Sequence, residues 1–380
     1  SLPDSDAEVY LGGYRSSWDN ICIWSNATEL IFPEALSYMY AGLGGTDYHV
    51  SFNFADGRNK STLNFKKVKN LDHLFHNTIA YNNSYFEASD FFEYLKDSPI
   101  ESTESIFENS TVQTVEKFAN IVNRTKNLAY AFRNTKSLDQ VNFSDWIIGE
   151  AEDTQSMFEG SGIGQAILNN TTFAKTKNTT NMFKNTQNSS LIQLPNAVFG
   201  ETTDTHAMFM NTTSPKILLN KATFAKSTDA SSMFEKIPLT EFNLSSATFA
   251  NTANFSNFFK ESGHYYFTLE LPKFSLASAE NLSQMFYKSE ITNLNLNAVP
   301  MGGSHITDMS SMFQDCANLE EIDLHNISTG PLENVASMFK NLPNVQKITL
   351  PNVFNTASIT DFSSFLADNI RLTTLENGDK

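Results

Sequence analysis

The chain has 380 residues and a formal net charge of −16, from 26 basic and 42 acidic side chains. This excess of negative charge repels phosphate backbones and anionic lipid, so neither nucleic acid nor a membrane surface is an expected partner. No apolar run approaches the roughly 18 residues of a membrane-spanning helix, so we expect no membrane insertion by this chain. The opening residues, Ser1-Leu2-Pro3, carry no signal-peptide features, and any attachment to a cell is expected to use an anchor outside this sequence.

Residues 1–60 differ from everything that follows. They contain two strand-like runs, at 21–24 and 48–54, and the second alternates apolar and polar residues. The glycines around residues 42–45 predict a turn, because the strand and helix that flank a phosphate-binding loop are missing. A non-repeating segment before a repeat array is typical of a terminal cap, which shields the array's apolar end. We therefore predict an N-terminal cap over 1–60 and a repeat domain over 61–380.

The second part repeats a phrase of about 26 residues. The letters DMSSMF at 308–313 return as NVASMF at 334–339, and the final aromatic of each phrase serves here as the marker. The markers are Phe75, Phe107, Phe132, Phe158, Phe183, Phe209, Phe234, Phe259, Phe286, Phe313, Phe339 and, as a substitute, Leu366. They are 25 to 27 residues apart from Phe107 onward, whereas the 32-residue step from Phe75 implies an insertion of about six residues. About twelve repeats therefore fill residues 61–380.

Each phrase has the pattern of a short helix. The residue five before the marker is Asn, Asp or Ser in all twelve repeats, and these types cap helix N-termini. The residue one before the marker is always apolar, and the residue four before it usually is. With the marker they form an i, i+3, i+4 face. The pattern predicts a helix of about two turns in every repeat.

Alternating apolar residues, such as Leu319, Ile322 and Leu324, follow six to eleven residues after the marker. Stacked from one repeat to the next, these segments predict a parallel sheet along one side of the molecule. A second aromatic column lies about fifteen residues after the marker, as at Phe173 and Phe199. Because both aromatic columns recur throughout the array, we interpret them as core.

The two cysteines, Cys22 and Cys316, lie about eleven repeats apart and are not expected to meet. Cys316 is three residues after its marker, where most repeats have Ser or Thr. We predict that Cys316 is a small buried residue and not a reactive thiol.

The phrase at 308–313, followed by Leu319, Ile322 and Leu324, resembles the repeat of BspA-like leucine-rich-repeat surface proteins of bacteria, including mycoplasmas. The resemblance is strongest over 270–370, is recognisable from about 60, and is absent before that. It implies a strand and a short helix in each turn, a location on the extracellular cell surface, and a role in adhesion. The earlier repeats depart from the family pattern, with Thr, Asn and Phe replacing Leu and Ser, and the family offers no catalytic residues to transfer.

The expected fold is therefore an α/β repeat: a right-handed, leucine-rich-repeat-like solenoid with a parallel sheet on one side, short helices on the other, and an N-terminal cap. The expected function is non-enzymatic recognition of an extracellular protein or glycan on a host or neighbouring cell. The alternative is a structural stalk or surface-layer component that displays other domains.

No motif in the chain predicts catalysis, a cofactor or a metal site. His73 and His76 could share a metal ion, but the pattern supplies no third ligand beyond Asp72, and an exposed helix surface is the favoured interpretation. The acidic cluster of Glu320, Glu321 and Asp323 is interpreted as the solvent face of a strand rather than as an acid–base pair.

Ligand binding is expected on the outward side chains of the strands, which we call the strand face, because solenoids present an extended surface there. The candidates are mostly polar, which suits a broad protein or glycan interface. Exposed tyrosines would be natural anchors for such an interface, although one of the two could pack beside Phe267. The candidate residues are Tyr265, Tyr266, Glu270, Asn243, Asn295, Glu321, Asp323 and Lys347.

Overall fold

The computed structural model describes residues 9–15, 19–25, 29–42, 44–45, 50–51, 62–80, 86–136, 138, 146–168, 172–187, 189–244, 247–264, 267–270, 276–295 and 305–377. They form a β-solenoid with turns of about 26 residues, parallel sheets and little helix. The parallel sheets predicted from the sequence are therefore confirmed.

The described strands are short, and from β3 onward they pair in parallel with strands of neighbouring turns. In the first part of the chain they are β1 (Val9–Arg15), β2 (Asp19–Ser25), β3 (Glu29–Ile31), β4 (Gly44–Gly45), β5 (Val50–Ser51), β6 (Thr62–Asn64), β7 (Ile79–Ala80), β8 (Phe86–Glu87) and β9 (Val112–Thr114). The later strands are β10 (Gln165–Ile167), β11 (Leu191–Gln193), β12 (Lys216–Leu218), β13 (Glu241–Asn243), β14 (Phe267–Glu270), β15 (Ile291–Asn295), β16 (Glu321–Asp323), β17 (Lys347–Thr349) and β18 (Thr374–Glu376).

The sheets in the later part of the chain stack their strands in chain order. Strands β10 to β13 form one parallel sheet, β14 and β15 a second, and β16 to β18 a third. Strands β1 and β2 instead form an antiparallel pair. Within the three parallel sheets the paired strands are about one repeat apart, so the repeat period of the sequence sets their register.

The predicted repeat helices are wrong. In the described part of the chain, the helical segments are α1 (Ser89–Tyr94), a 3₁₀ helix (Glu116–Phe118) and α2 (Ala119–Val122), and none coincides with a predicted repeat helix. The twelve predicted cap residues instead form a ladder of parallel bridges, here called the bridge column, which Ala35 extends toward the N-terminus. The chain after each of them makes tandem tight turns.

The residue types of the bridge column predict a helix because an Asx turn and a helix N-cap begin with the same kind of hydrogen bond, from a backbone N–H to the side-chain oxygen. Asp308 Oδ1 accepts the N–H of Ser310 at 2.8 Å, and Asn334 Oδ1 accepts the N–H of Ala336 at 3.0 Å. Ser102 is the exception, because Asp72 from the neighbouring turn accepts the N–H of Glu104 at 2.8 Å. The prediction of a hydrogen-bonding side chain at these positions is therefore confirmed, but tight turns follow it instead of a helix.

What ends the helical path is a left-handed residue two before each marker. In one turn, Tyr130 has φ of 58° and Asn134, two after the marker, has φ of 56°. The intervening N–H groups alternate: Ala131 bonds to Leu128 O within the turn, whereas Phe132 bonds to a carbonyl of the next turn at 2.8 Å. The left-handed conformation costs about 1–2 kcal/mol for a residue other than glycine, and among these residues Asn tolerates it best. Asn is therefore frequent two after the marker.

Both predicted aromatic columns lie in the core. The markers stack on one another, for example Phe183 on Phe209 with ring centroids 5.5 Å apart, and the second column stacks Phe173 on Phe199 at 4.6 Å. The apolar residue before each marker is buried as well. Stacked aromatic pairs contribute roughly 0.5–1.5 kcal/mol beyond the area they bury, so the two columns stabilise every pair of turns they cross.

The predicted insertion after Phe75 contains α1. Its Phe91 and Phe92 are buried and contact Phe75 edge-on, with ring centroids 5.7 and 6.3 Å away. The extra residues therefore enlarge the core of this turn without breaking the marker column, since Phe75 still stacks on Phe107 at 5.5 Å.

Parallel pairing begins inside the segment predicted to be a cap. Strand β3 pairs in parallel with β6, and Ala35 bridges Asn70. Tyr40 stacks on Phe75 at 5.7 Å and so occupies a marker position. Residues 29–42 thus continue the stacking of the repeats. Among the described residues, no helix combines the length and the apolar character needed to cross a bilayer.

Candidate binding surface on the strand face

Three of the predicted binding residues lie on two adjacent strands. Glu321 and Asp323 belong to β16, Lys347 belongs to β17, and Glu321 is paired in register with Lys347. Ile322 between the two acids is buried, while the Glu321 side chain is 58% exposed. The alternation of the strand therefore directs both carboxylates away from the core, as predicted.

Lys347 is at the centre of a small charge cluster. Its Nζ lies 3.6 Å from Glu321 Oε1 and 3.2 Å from Glu376 Oε2, which belongs to β18. The hydrogen bond and charge of Glu376, with a smaller contribution from Glu321, raise the pKa of Lys347. Three successive turns thus present one positive charge between two negative ones, and Glu376 was missed by the sequence reasoning.

Asp323 has a local partner. Its Oδ1 accepts the backbone N–H of His325 at 3.0 Å and lies 2.7 Å from His325 Nδ1. Partial burial opposes ionisation, but the two His325 hydrogen bonds and the charges of His325 and Lys347 outweigh it, so the pKa of Asp323 is lowered. Asp323 therefore helps to close the turn after β16, which limits what it can offer to a ligand.

The remaining candidates are placed only by their strands. Asn243 is the last residue of β13 and pairs with Leu218, and Glu270 and Asn295 pair with each other at the ends of β14 and β15. Tyr265 and Tyr266 lie outside the described residues. The structure therefore brings Glu321, Asp323 and Lys347 together on one sheet, and places Glu270 and Asn295 as neighbours on another.

A second charged pair lies elsewhere on the strand face. Lys216 of β12 is in register with Glu241 of β13, and the two side chains form an ion pair at 3.0 Å. Both are about half exposed. Opposite charges one repeat apart were the available signal, because residues in the same column of a solenoid become direct neighbours.

The same signal marks a longer array just before the bridge column, which we call the charge ladder. Successive turns contribute alternating charges in the order Glu34, Lys69, Glu101, Lys126, Glu152 and Lys177. The ion-pair distances are 3.3 Å for Glu34–Lys69, 3.4 Å for Glu101–Lys126 and 2.8 Å for Glu152–Lys177. Each of these pairs is too exposed to contribute much alone, but the alternation keeps like charges apart.

The two histidines considered for a metal site do acquire a third potential ligand. His73, His76 and Glu108 each offer a ligand atom within 4.8 Å of the other two. Asp72, the third ligand considered from the sequence, is not part of this cluster. Its Oδ1 accepts a hydrogen bond from the hydroxyl of Ser102 at 2.5 Å. Glu108 was missed because it comes from the next turn.

A concave part of the described surface lies near these residues. An open depression beside the last strands is lined by Leu350, Asn352, Val353, Phe354, Asn355, Thr356 and Asn377. Its lining is uncharged and mixes apolar side chains with amides and a hydroxyl. The charged side chains of β16 and β17 instead stand on the strand face.

Comparison with known families gives one result. The model of the family described as "Mycoplasma protein of unknown function, DUF285" matches residues 46–193, 192–299 and 253–375. No curated protein and no solved structure matches the chain. Three overlapping matches are expected when one repeated unit runs through most of a sequence. They cover well over half of its residues, and the chain therefore belongs to the DUF285 family.

Proposed function

We propose that this chain is a non-enzymatic adhesion or ligand-binding module of the cell surface, akin to BspA-like leucine-rich-repeat proteins. It recognises a host or neighbouring-cell protein or glycan through the strand face. The supporting observation is the outward charge pattern of successive strands, seen in Lys216–Glu241 and in Glu321–Lys347–Glu376.

Such a surface suits a wide, wet contact. Its side chains are about one-third to three-fifths exposed, and their charges are paired with neighbours on the next turn. Pairing fixes the position of long side chains before a ligand arrives, which lowers the entropy cost of binding. Complementary charges on a partner then determine specificity and speed up association.

The test uses a charge exchange that retains the ion pair. The variant Lys216→Glu/Glu241→Lys inverts the pattern on the strand face without leaving either charge unpaired. The control Glu93→Lys/Lys96→Glu exchanges an exposed pair at the C-terminal end of α1, where Glu93 Oε1 and Lys96 Nζ are 2.9 Å apart. Parent, variant and control are applied to arrays of extracellular-matrix proteins and glycans at low and physiological salt.

We expect the parent and the control to bind a component of the arrays, and the strand-face variant to lose this binding. Equal binding by all three proteins would contradict recognition through this part of the strand face. If the parent binds nothing and instead self-associates in sedimentation, the alternative role as a structural stalk or surface-layer component takes precedence.

A further inference from the structure

The solenoid brings two histidines and a glutamate from different turns into one cluster. His76 and Glu108 each follow a marker directly, so the stacking of Phe75 on Phe107 places them one above the other. His76 Nε2 lies 3.9 Å from Glu108 Oε2. The His73 and His76 rings are nearly perpendicular, with centroids 5.5 Å apart.

His73 is held in place, yet one of its ring nitrogens has no partner. Its ring stacks on Tyr38 at 4.5 Å, and its backbone has the left-handed φ of 56° required two before a marker. His73 Nδ1 is buried without a hydrogen-bond partner. A buried polar atom without a partner destabilises the folded chain, and coordination of an ion by this nitrogen would remove that penalty.

Glu108 is the most buried of the three side chains and is oriented by a neighbour. Its side chain is 7% exposed, and Arg133 Nε donates to its Oε1 at 2.8 Å. The other oxygen, Oε2, is the one that faces His76. Arg133 thus acts as partners of metal-binding carboxylates often do, fixing one oxygen while the other is available. Its positive charge also opposes a cation, so the site is expected to bind more weakly than one without it.

We propose that His73, His76 and Glu108 bind one divalent transition-metal ion of the zinc class and thereby tie two successive turns together. Two imidazole nitrogens and one carboxylate oxygen are a ligand set that zinc accepts, with a fourth position for water or another group. Bonds of about 2.0–2.1 Å place tetrahedral ligand atoms about 3.3 Å apart. The three ligand atoms lie within 4.8 Å of one another, so they would have to approach by up to about 1.5 Å. The inference does not depend on the proposed adhesive function.

The experiment is a calorimetric titration of zinc chloride into the full chain at pH 7.5. It compares the parent with His76→Gln and Glu108→Gln, and each substitution keeps a polar side chain of similar size. The control His206→Gln removes a histidine outside the proposed site, whose Nδ1 contacts Ser231 Oγ of the turn that follows it. Urea unfolding with and without zinc gives a second readout, since an ion that binds only the folded chain raises the unfolding midpoint.

We expect the parent and the control to bind one equivalent of zinc, and both site variants to bind zinc at least tenfold more weakly. The rise in the urea midpoint that zinc causes should also be absent from the two site variants. No zinc binding by the parent, or unchanged affinity in both variants, would overturn the proposal. If Glu108→Gln proves unfolded by circular dichroism, His76→Gln decides the outcome alone, because it alters a ring that is partly exposed.

Discussion

Phe209 lies against Phe234 with ring planes 3° apart and centroids separated by 5.4 Å. The same relationship joins Phe209 to Phe183 on its other side, at 5.5 Å. Each marker is thus shared between two turns, and removing one ring weakens both contacts. The solenoid depends on this column in the way that a compact domain depends on the centre of its core.

Phe209→Ala is accordingly expected to lower the free energy of unfolding by about 3–5 kcal/mol, the range for a buried phenylalanine that leaves a cavity. Urea unfolding followed by circular dichroism measures the loss. The matched control is Phe362→Ala in the last described repeat, where the side chain is 48% exposed and a much smaller loss is expected. Equal losses in the two variants would show that stacking in the marker column is not what stabilises the turns.

The left-handed residue two before the marker gives a second prediction. Ser337 has φ of 57°. Ser337→Gly should stay within about 1 kcal/mol of the parent, because relief of backbone strain offsets the greater freedom of glycine in the unfolded chain. Ser337→Val should lower the free energy of unfolding by more than about 1–2 kcal/mol. Ala336→Val, one residue earlier and outside the left-handed region, controls for the added methyl groups; an equal loss there would argue against strain.

The charge ladder supports a third prediction. Lys126→Glu would place three acidic side chains in successive turns, at positions 101, 126 and 152, and should lower the urea midpoint. Because these groups are exposed, the deficit should shrink when sodium chloride is raised from about 10 mM to 1 M, as the Debye length falls from about 30 to 3 Å. Lys126→Gln is the control, since it removes the attraction without adding repulsion. A deficit that does not respond to salt would point to packing instead.

Cys316 supports a fourth prediction, tested in a Cys22→Ser background. Its Sγ lies 2.8 Å from Phe286 O, and burial raises the pKa of Cys316 to about 12. Ellman's reagent at pH 8 should therefore modify it only after urea unfolding, because the thiolate is the reactive form. Rapid modification of the folded chain would contradict this burial.

The same raised pKa predicts that the stability of the chain depends on pH. The folded state holds the proton of Cys316 more tightly than the unfolded state does, so the protonated thiol contributes fully to the free energy of unfolding below pH 9. This contribution is lost as the pH rises toward about 12. Cys22→Ser/Cys316→Thr, which restores the residue type common in this column, should lose less stability over that interval. Equal loss in the two proteins would assign the alkaline sensitivity to other groups.

Much of the fold could be read from the sequence because the repeat places equivalent residues in columns. The markers, the buried residue before each marker and the recurring polar position five before it were all found in this way, although that polar position was predicted to cap a helix and instead forms the bridge column. The helix was predicted wrongly because Asp308 makes the same first hydrogen bond in an Asx turn as it would in a cap. The frequent Asn two after the marker gave no warning, since a left-handed Asn is also common just after the end of a helix. The residue that breaks the helix lies two before the marker, where types as different as Ser337 and Tyr130 adopt positive φ.

The candidate sites were harder to foresee because they depend on contacts between turns. Glu108 meets His76 only when the insertion containing α1 is allowed for, and Glu376 meets Lys347 although the two are not direct register partners. A column comparison finds residues at equal positions. It does not find side chains that reach diagonally, such as the one from Lys347 to Glu376.

The alternating charge ladder has a consequence for how such a chain can grow. Copying a single turn, for instance the one that contributes Lys126, would set a lysine beside a lysine and create a repulsion at the new junction. Copying two consecutive turns, such as those of Glu101 and Lys126, would reproduce the order of signs without a fault. Lengthening of this region by gene duplication should therefore favour steps of about 50 residues over steps of about 26, wherever the ladder of charges runs.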